Sequence, residues 1–183
     1  MTERGGPTTQ AGIRYQNSIA ALYLGDLLQL HALSTHEQVS EVRIEAPADV
    51  DDVVVRFADH HRDWIQVKLE LRATGAPWQK LWGDFHTQLH SINFGPEDHL
   101  VLVIGDHTEL AANLRDCAER TQSSPDRHEW HRRLTIEQKA LVEAIANLIS
   151  QSDLEPVFTL FQKMRVEIIR DRDLERDFAP TRM

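Results

Sequence analysis

The chain has 183 residues, of which 41% are hydrophobic, so it is long enough for one domain with its own buried core. Its formal net charge of −9 at pH 7 argues against a protein that holds nucleic acid through a basic surface spread over the whole molecule. Cys117 is the single cysteine, which excludes an internal disulfide. With no apolar run near the ~20 residues of a membrane span and no signal-peptide pattern at the start, the chain is expected to be cytoplasmic.

The first half of the chain predicts a helix followed by three strands. Residues 1–9 read as a flexible lead, and from about Gln10 to Leu33 apolar residues recur at helical spacing. Residues 39–46 alternate between apolar and polar as a strand does. Residues 51–58 and 63–70 then form a predicted hairpin around a short polar turn.

The second half alternates strands and helices. The apolar run 99–106 leads directly into the helical pattern TELAANLRDCAERT, and a strand followed at once by a helix indicates an α/β protein. Further predicted elements are a helix beginning at Pro77, one starting in 123–126, one with a capping box at Thr135 and Gln138, a short helix over 155–164 and a last strand over 164–171. We expect one domain over residues 10–171, with 172–183 as a charged tail.

The predicted hairpin carries the polar residues of greatest interest. Asp52 stands at the start of its first strand, and Gln66 and Lys68, two apart on the second strand, share a face. With the turn centred near His60, Asp52 is expected opposite Lys68. A slip of one residue would separate the groups onto opposite faces.

An acid, an amide and an ammonium grouped in this way suit metal-assisted hydrolysis of a phosphodiester. The carboxylate of Asp52 would hold Mg²⁺, a cation that prefers oxygen ligands, and the main-chain carbonyl of Val67 would add another oxygen. Lys68 would orient the attacking water or stabilise the developing charge.

Asp52 followed by Gln66-Val67-Lys68 resembles the PD-(D/E)xK nuclease motif, in the QxK form of Mrr-like restriction endonucleases. Upstream, Gly12-x-x-Tyr-Gln16 is similar to the first-helix element of that group. The ordered set resembles the double-stranded DNA endonuclease domain at the N-terminus of bacterial anti-phage effectors, including CBASS nuclease effectors and NACHT/STAND-type ATPases. The resemblance implies a restriction-endonuclease-like mixed sheet flanked by helices, with Mg²⁺ or Mn²⁺ as cofactor and double-stranded DNA as substrate.

The resemblance also implies roles for single residues. Gln16 would brace the catalytic cluster from the first helix, beside Asp52, Gln66 and Lys68. Gln66 stands where many relatives have a metal-binding acid, so another carboxylate must compensate. The nearest acids are Glu45, which we take as the second metal-binding carboxylate, and Asp51.

Two alternatives stay open. The same fold would serve as a catalytically degenerate interaction or nucleic-acid-sensing module if Gln66 marks a lost acid, or the site would act on RNA. In the resembled family the nuclease is usually the head of a longer chain, activated by self-association or by a downstream sensor domain. The acidic net charge fits a monomer that binds DNA weakly until assembly gathers its phosphate contacts.

The ten histidines suggest zinc, but the spacing supports it poorly. His86 and His90 are four apart on a predicted helix, yet HTQLH lacks the glutamate that follows the first histidine in metalloproteases, so a solvated helix face is expected. His60 and His61 are placed in the hairpin turn, and Cys117 is expected to be a buried small hydrophobe.

Overall fold

The computed structural model describes residues 6–28, 34–45, 50, 52–149 and 153–177. Seven helices and five strands occur in these ranges. In chain order they are α1 (Gly6–Leu27), β1 (Val39–Ile44), β2 (Val53–Phe57), β3 (Arg62–Lys68), α2 (Gly75–Leu89), β4 (His99–Ile104), α3 (Glu109–Gln122), α4 (Arg127–Arg133), α5 (Ile136–Leu148), α6 (Glu155–Gln162), β5 (Met164–Ile168) and α7 (Asp171–Asp177).

The five strands form one mixed sheet in the order β1-β2-β3-β4-β5. β1, β2 and β3 pair antiparallel, whereas β3, β4 and β5 pair parallel. The parallel pairs need long crossovers, which α2 and then α3–α6 supply. The predicted α/β class, a mixed central sheet flanked by helices, is therefore confirmed.

Helices cover both faces of the sheet, so its central strands are apolar on both sides. Val54, Trp64 and Leu102 pack in the larger core with α2–α6, while alternate strand residues such as Val53 and Ile65 face the α1 side. The three valines of β2 are accordingly all buried, as their run predicts. Within the described ranges, no helix has the length and hydrophobicity needed to cross a membrane.

Side-chain caps fix where several helices begin. The Thr135 hydroxyl accepts the Gln138 N–H and the Gln138 side chain accepts the Thr135 N–H, so the predicted capping box is confirmed. The helix predicted to start in 123–126 begins at Arg127, since the Asp126 carboxylate accepts the N–H groups of His128 and Glu129.

Some element boundaries differ from the prediction. α1 begins at Gly6, so residues 6–9 of the predicted lead are helical, and it ends at Leu27, where the Leu28 N–H bonds back to the Gly25 carbonyl. The predicted end of that helix, 29–33, lies outside the described residues. Part of the predicted tail is the helix α7, because Leu174 is apolar and buries its side chain against the α1 side of the sheet.

The hairpin register is shifted by two residues from the predicted one. Val53 pairs with Ile65 and Val54 with Trp64, which places Asp52 next to Gln66 instead of opposite Lys68. The cause is the turn: His60 has a φ of 79°, and its N–H bonds to the Phe57 carbonyl at 3.0 Å. Because the shift is even, the three polar residues stay on one face.

Candidate active site

A notch opens where β3 runs past the end of β2. β2 begins at Val53, opposite Ile65, so the last three residues of β3 lie beyond it. The carboxylate of Asp52 lies in this notch. Its Oδ2 accepts the Val67 N–H at 2.7 Å and the Lys68 ammonium at 3.3 Å, and it also accepts the Gln66 side-chain amide. The structure thus brings together the predicted acid, amide and ammonium.

The cluster lies at the boundary between core and solvent. Gln66 is 4% exposed, and a buried amide needs a partner, which Asp52 provides. The side chains of Asp52 and Lys68 are 18% and 30% exposed. The carboxylate and the ammonium are therefore accessible to a ligand, while Gln66 forms the floor of the cluster.

The main-chain carbonyl of Val67 is directed towards the same notch. In a strand, the N–H and C=O of one residue point to the same side, and those of the next residue point to the other side. The Val67 N–H is bonded to Asp52, whereas the Lys68 carbonyl accepts the Gly105 N–H on the β4 side at 2.9 Å. This orientation suits the predicted role of Val67 as an oxygen ligand.

Gln16 reaches Asp52 through its backbone. The Gln16 amide donates to the Asp52 main-chain carbonyl at 3.1 Å, and the Glu45 N–H donates to the same oxygen at 3.1 Å. The neighbouring Tyr15 and Ile19 are fully buried and anchor α1 on the sheet. Gln16 therefore braces the peptide that carries the carboxylate.

Two described acids could accompany Asp52: the predicted Glu45 and, in addition, Glu70. Glu45 is exposed, has a φ of 51°, and approaches Asp52 with its backbone. Asp51 lies outside the described residues. Glu70 instead lines the cavity at the notch, where it pairs with Arg72 at 3.4 Å. The sequence offered one indication of Glu70: it follows Lys68 by two residues, as Lys68 follows Gln66.

The notch opens into a cavity of about 500 Å³. α1 contributes Ile13 and Gln16 to its wall, and the start of α2 contributes Thr74, Pro77 and Trp78. Pro77, the residue of the first turn of α2 that lines the cavity, has no N–H, so the start of this helix would favour an anion there only through its partial positive charge. The cavity therefore joins an acidic notch to the N-terminal end of a helix.

The donor set of the notch fits a hard divalent cation. Carboxylate oxygens of Asp52 and Glu70 and the Val67 carbonyl are the oxygen ligands that Mg²⁺ prefers. The Lys68 ammonium now supplies the positive charge beside Asp52 Oδ2. A cation bound by this carboxylate would take over that role and release the ammonium.

The remaining candidates have different surroundings. His90 Nδ1 donates to the His86 carbonyl at 2.8 Å at the exposed C-terminal end of α2. Cys117 is fully buried in α3, and burial raises the pKa of its thiol to about 12. His61, predicted in the hairpin turn, directly precedes β3, is 4% exposed and packs on Phe57.

The chain matches no family model, no curated protein and no solved structure. Fold and site together define an α/β protein that carries a carboxylate–amide–ammonium cluster where β3 and β4 end. In open α/β sheets this carboxyl edge is where ligands bind.

Proposed function

We propose that this chain is a metal-dependent endonuclease domain with a restriction-endonuclease-like fold, acting on double-stranded DNA. The observation that carries the proposal is the convergence of Gln66, the Val67 N–H and Lys68 on one carboxylate oxygen of Asp52. The resemblance to PD-(D/E)xK nucleases selected these residues from the sequence. Their contact across two strands, braced by Gln16, supports it.

Asp52, Glu70 and the Val67 carbonyl would hold Mg²⁺ or Mn²⁺. The bound cation would polarise the scissile phosphate and lower the pKa of its water. In this proposal Glu70, which lines the cavity, takes the role that the sequence suggested for Glu45, which is not among the lining residues.

Lys68 would act on the nucleophile or the phosphate. Its ammonium is 3.3 Å from Asp52 Oδ2, so release from that carboxylate leaves it next to the site of attack. There it would donate a hydrogen bond to the attacking water or to a developing charge on phosphate oxygen. Gln66 would keep the carboxylate oriented, and Gln16 would keep its backbone in place.

The cavity offers a place for the phosphate backbone. The start of α2 and the Arg72 side chain would meet a phosphate, and the exposed Ile13 and Pro77 would flank it. A net charge of −9 keeps the affinity of one copy low, since DNA affinity grows with the number of phosphates neutralised. Self-association or a downstream sensor domain would raise it, in the cytoplasmic anti-phage setting that the resemblance implies.

A catalytically inactive, nucleic-acid-sensing module is the second candidate. It is favoured by the Asp52–Lys68 ion pair, which neutralises the carboxylate, and by an amide at the position of the second acid. Such a module would bind DNA or RNA through the cavity without cutting it.

The test is plasmid cleavage with Mg²⁺ or Mn²⁺ at protein concentrations that promote self-association. Wild type is expected to nick or linearise the plasmid, while Lys68→Ala and Asp52→Asn lose the activity. Lys139→Ala, on α5 and outside the cavity, serves as the matched lysine control and keeps it.

Two outcomes contradict the proposal. Equal cleavage by wild type and Lys68→Ala would mean that Lys68 takes no part in the reaction and that the active site lies elsewhere. No cleavage, together with Mn²⁺ binding that does not depend on Asp52, would favour the sensing module. A parallel panel of duplex DNA, single-stranded DNA and RNA then identifies the substrate.

A further inference from the structure

A second polar cluster lies at the opposite end of β3. His61 immediately precedes β3, Asp63 is its second residue, and His99, the first residue of β4, pairs with Asp63 across the parallel strands. His61 and Asp63 are each 4% exposed. One ligand atom from each of the three residues lies within 4.8 Å of the other two.

The His61 ring is held in one orientation by its neighbours. Its Nδ1 is 2.5 Å from Asp59 Oδ1, and the ring stacks between those of Phe57 and His36. Nε2 is then left as the ligand atom. A histidine whose second nitrogen is bonded to a carboxylate is the usual outer arrangement around protein-bound zinc.

Asp63 and His99 are also oriented for a shared ligand. Asp63 Oδ1 is 3.2 Å from His99 Nδ1, while Oδ2 is 3.5 Å from the Arg165 guanidinium. Bonds of about 2.0–2.1 Å to a tetrahedral zinc ion imply ligand atoms roughly 3.3 Å apart. The separation between Asp63 and His99 already has this value.

We propose that His61, Asp63 and His99 bind one divalent transition-metal ion of the zinc class. Two imidazoles and a carboxylate suit Zn²⁺, Co²⁺ or Ni²⁺ better than Mg²⁺, which prefers oxygen ligands. The site lies where the hairpin turn meets the starts of β3 and β4, at the opposite end of these strands from Asp52. Its role is structural, and it is independent of the proposed nuclease activity.

Arg165 competes with the metal for this site. One guanidinium nitrogen is 3.1 Å from each ring nitrogen of His99, and another pairs with Asp63. The Arg165 side chain is 43% exposed, so it has room to swing into solvent. In the metal-free chain it neutralises Asp63, and metal binding displaces it. Removing the guanidinium should therefore strengthen metal binding.

The experiment uses the full chain after treatment with a chelator. Co²⁺ is titrated while its visible absorption is recorded, and Zn²⁺ is then added to displace it. With excess Mg²⁺ present to occupy the oxygen ligands at Asp52, we expect one Co²⁺ or Zn²⁺ per chain, and a thermal midpoint that rises by about 5–10 °C at 100 times the dissociation constant of Zn²⁺.

Four variants locate the ion. His99→Gln is expected to weaken binding more than ~100-fold, because loss of an outer-shell partner alone costs about 10–100-fold. His36→Gln removes a ring that stacks on His61 and a hydrogen bond to Asp59 but no proposed ligand, so it should weaken binding less than His99→Gln does. Asp52→Asn should leave the affinity unchanged, and Arg165→Gln should increase it.

Three results would overturn the proposal. One is the lack of stoichiometric binding at micromolar concentration. Another is a greater loss in His36→Gln than in His99→Gln, which would assign the ion to His36, Asp59 and His61. The third is loss in Asp52→Asn, which would place it at the notch. Should His99→Gln not fold, the gain expected for Arg165→Gln still tests the site.

Discussion

Truncation of Asp52 offers a direct test of the notch. Asp52→Ala removes the acceptor for the Val67 N–H and for the Gln66 amide, two groups on residues that are only 7% and 4% exposed. A buried donor left without a partner costs about 1–3 kcal/mol. Since the Asp52 side chain is 18% exposed, water will satisfy part of this demand, which leaves a loss of about 2–4 kcal/mol.

Loss of the ion pair adds little to this figure. Lys68 is 30% exposed, and exposed pairs contribute about 0–1 kcal/mol. Asp52→Asn keeps an acceptor oxygen and the side-chain volume, so its cost should be smaller, about 1–2 kcal/mol. The loss in free energy of unfolding should therefore decrease from Asp52→Ala to Asp52→Asn to Lys68→Ala. This order is expected if the buried donors need an acceptor more than the carboxylate needs the ammonium.

The assay is urea unfolding followed by far-ultraviolet circular dichroism, supported by thermal melts. For a chain of this size each kcal/mol moves the midpoint by about 2–4 °C. Asp106→Ala, an exposed aspartate in the loop after β4, is the matched control and should stay within about 0.5 kcal/mol of wild type. If Asp52→Ala also stays within that range, the carboxylate does not satisfy Gln66 and Val67.

Further predictions concern the scaffold behind the site. Gly105→Ala should lower the free energy of unfolding by about 1–3 kcal/mol, because the new Cβ would lie 2.9 Å from the Leu69 carbonyl oxygen. Gly83→Ala, at an open position in a helix, should raise it by about 0.5–1 kcal/mol. Equal effects in urea unfolding would refute the packing argument. Burial raises the pKa of Cys117 to about 12, so the thiol stays protonated at pH 8, and a disulfide reagent should label the folded chain far more slowly than the chain in denaturant. Similar rates would contradict this. Thr135→Ala should cost about 0.5–2 kcal/mol through loss of the capping box, as measured by thermal melts beside the exposed Thr159→Ala, which should cost less.

Local signals in the sequence predicted most of the elements. The capping box at Thr135 and Gln138 involves neighbours three residues apart, so no tertiary contact is needed to recognise it. The hairpin shows where such reasoning ends. His60 adopts a positive φ, which a glycine or asparagine at this position would have indicated and a histidine does not. The predicted register therefore differs from the observed one by two residues.

Long-range packing decided the rest of the candidate site. The sequence placed Gln16 beside Asp52, but only the position of α1 on the sheet shows that it binds the main-chain carbonyl. Glu70, which we propose as a metal ligand, was not singled out from the sequence, because the cavity that it lines is formed jointly by α1, β3 and the start of α2. His99 lies 36 residues from Asp63, and a crossover helix brings the two together.

The register of β3 depends on its polar groups. Trp64, Ile65 and Val67 are all buried, so the alternation of apolar and polar residues that normally fixes a strand's register is weak there. The buried Gln66 amide, which donates to Asp52, and the Trp64 indole, which donates to Asp98, need partners at fixed positions. The polar ends, Asp63 at one side and Lys68 at the other, lose their partners after a slip of a single residue. Both clusters thus add a cost to any other pairing of the central strand, so the polar residues at its two ends help to specify the alignment of the whole sheet.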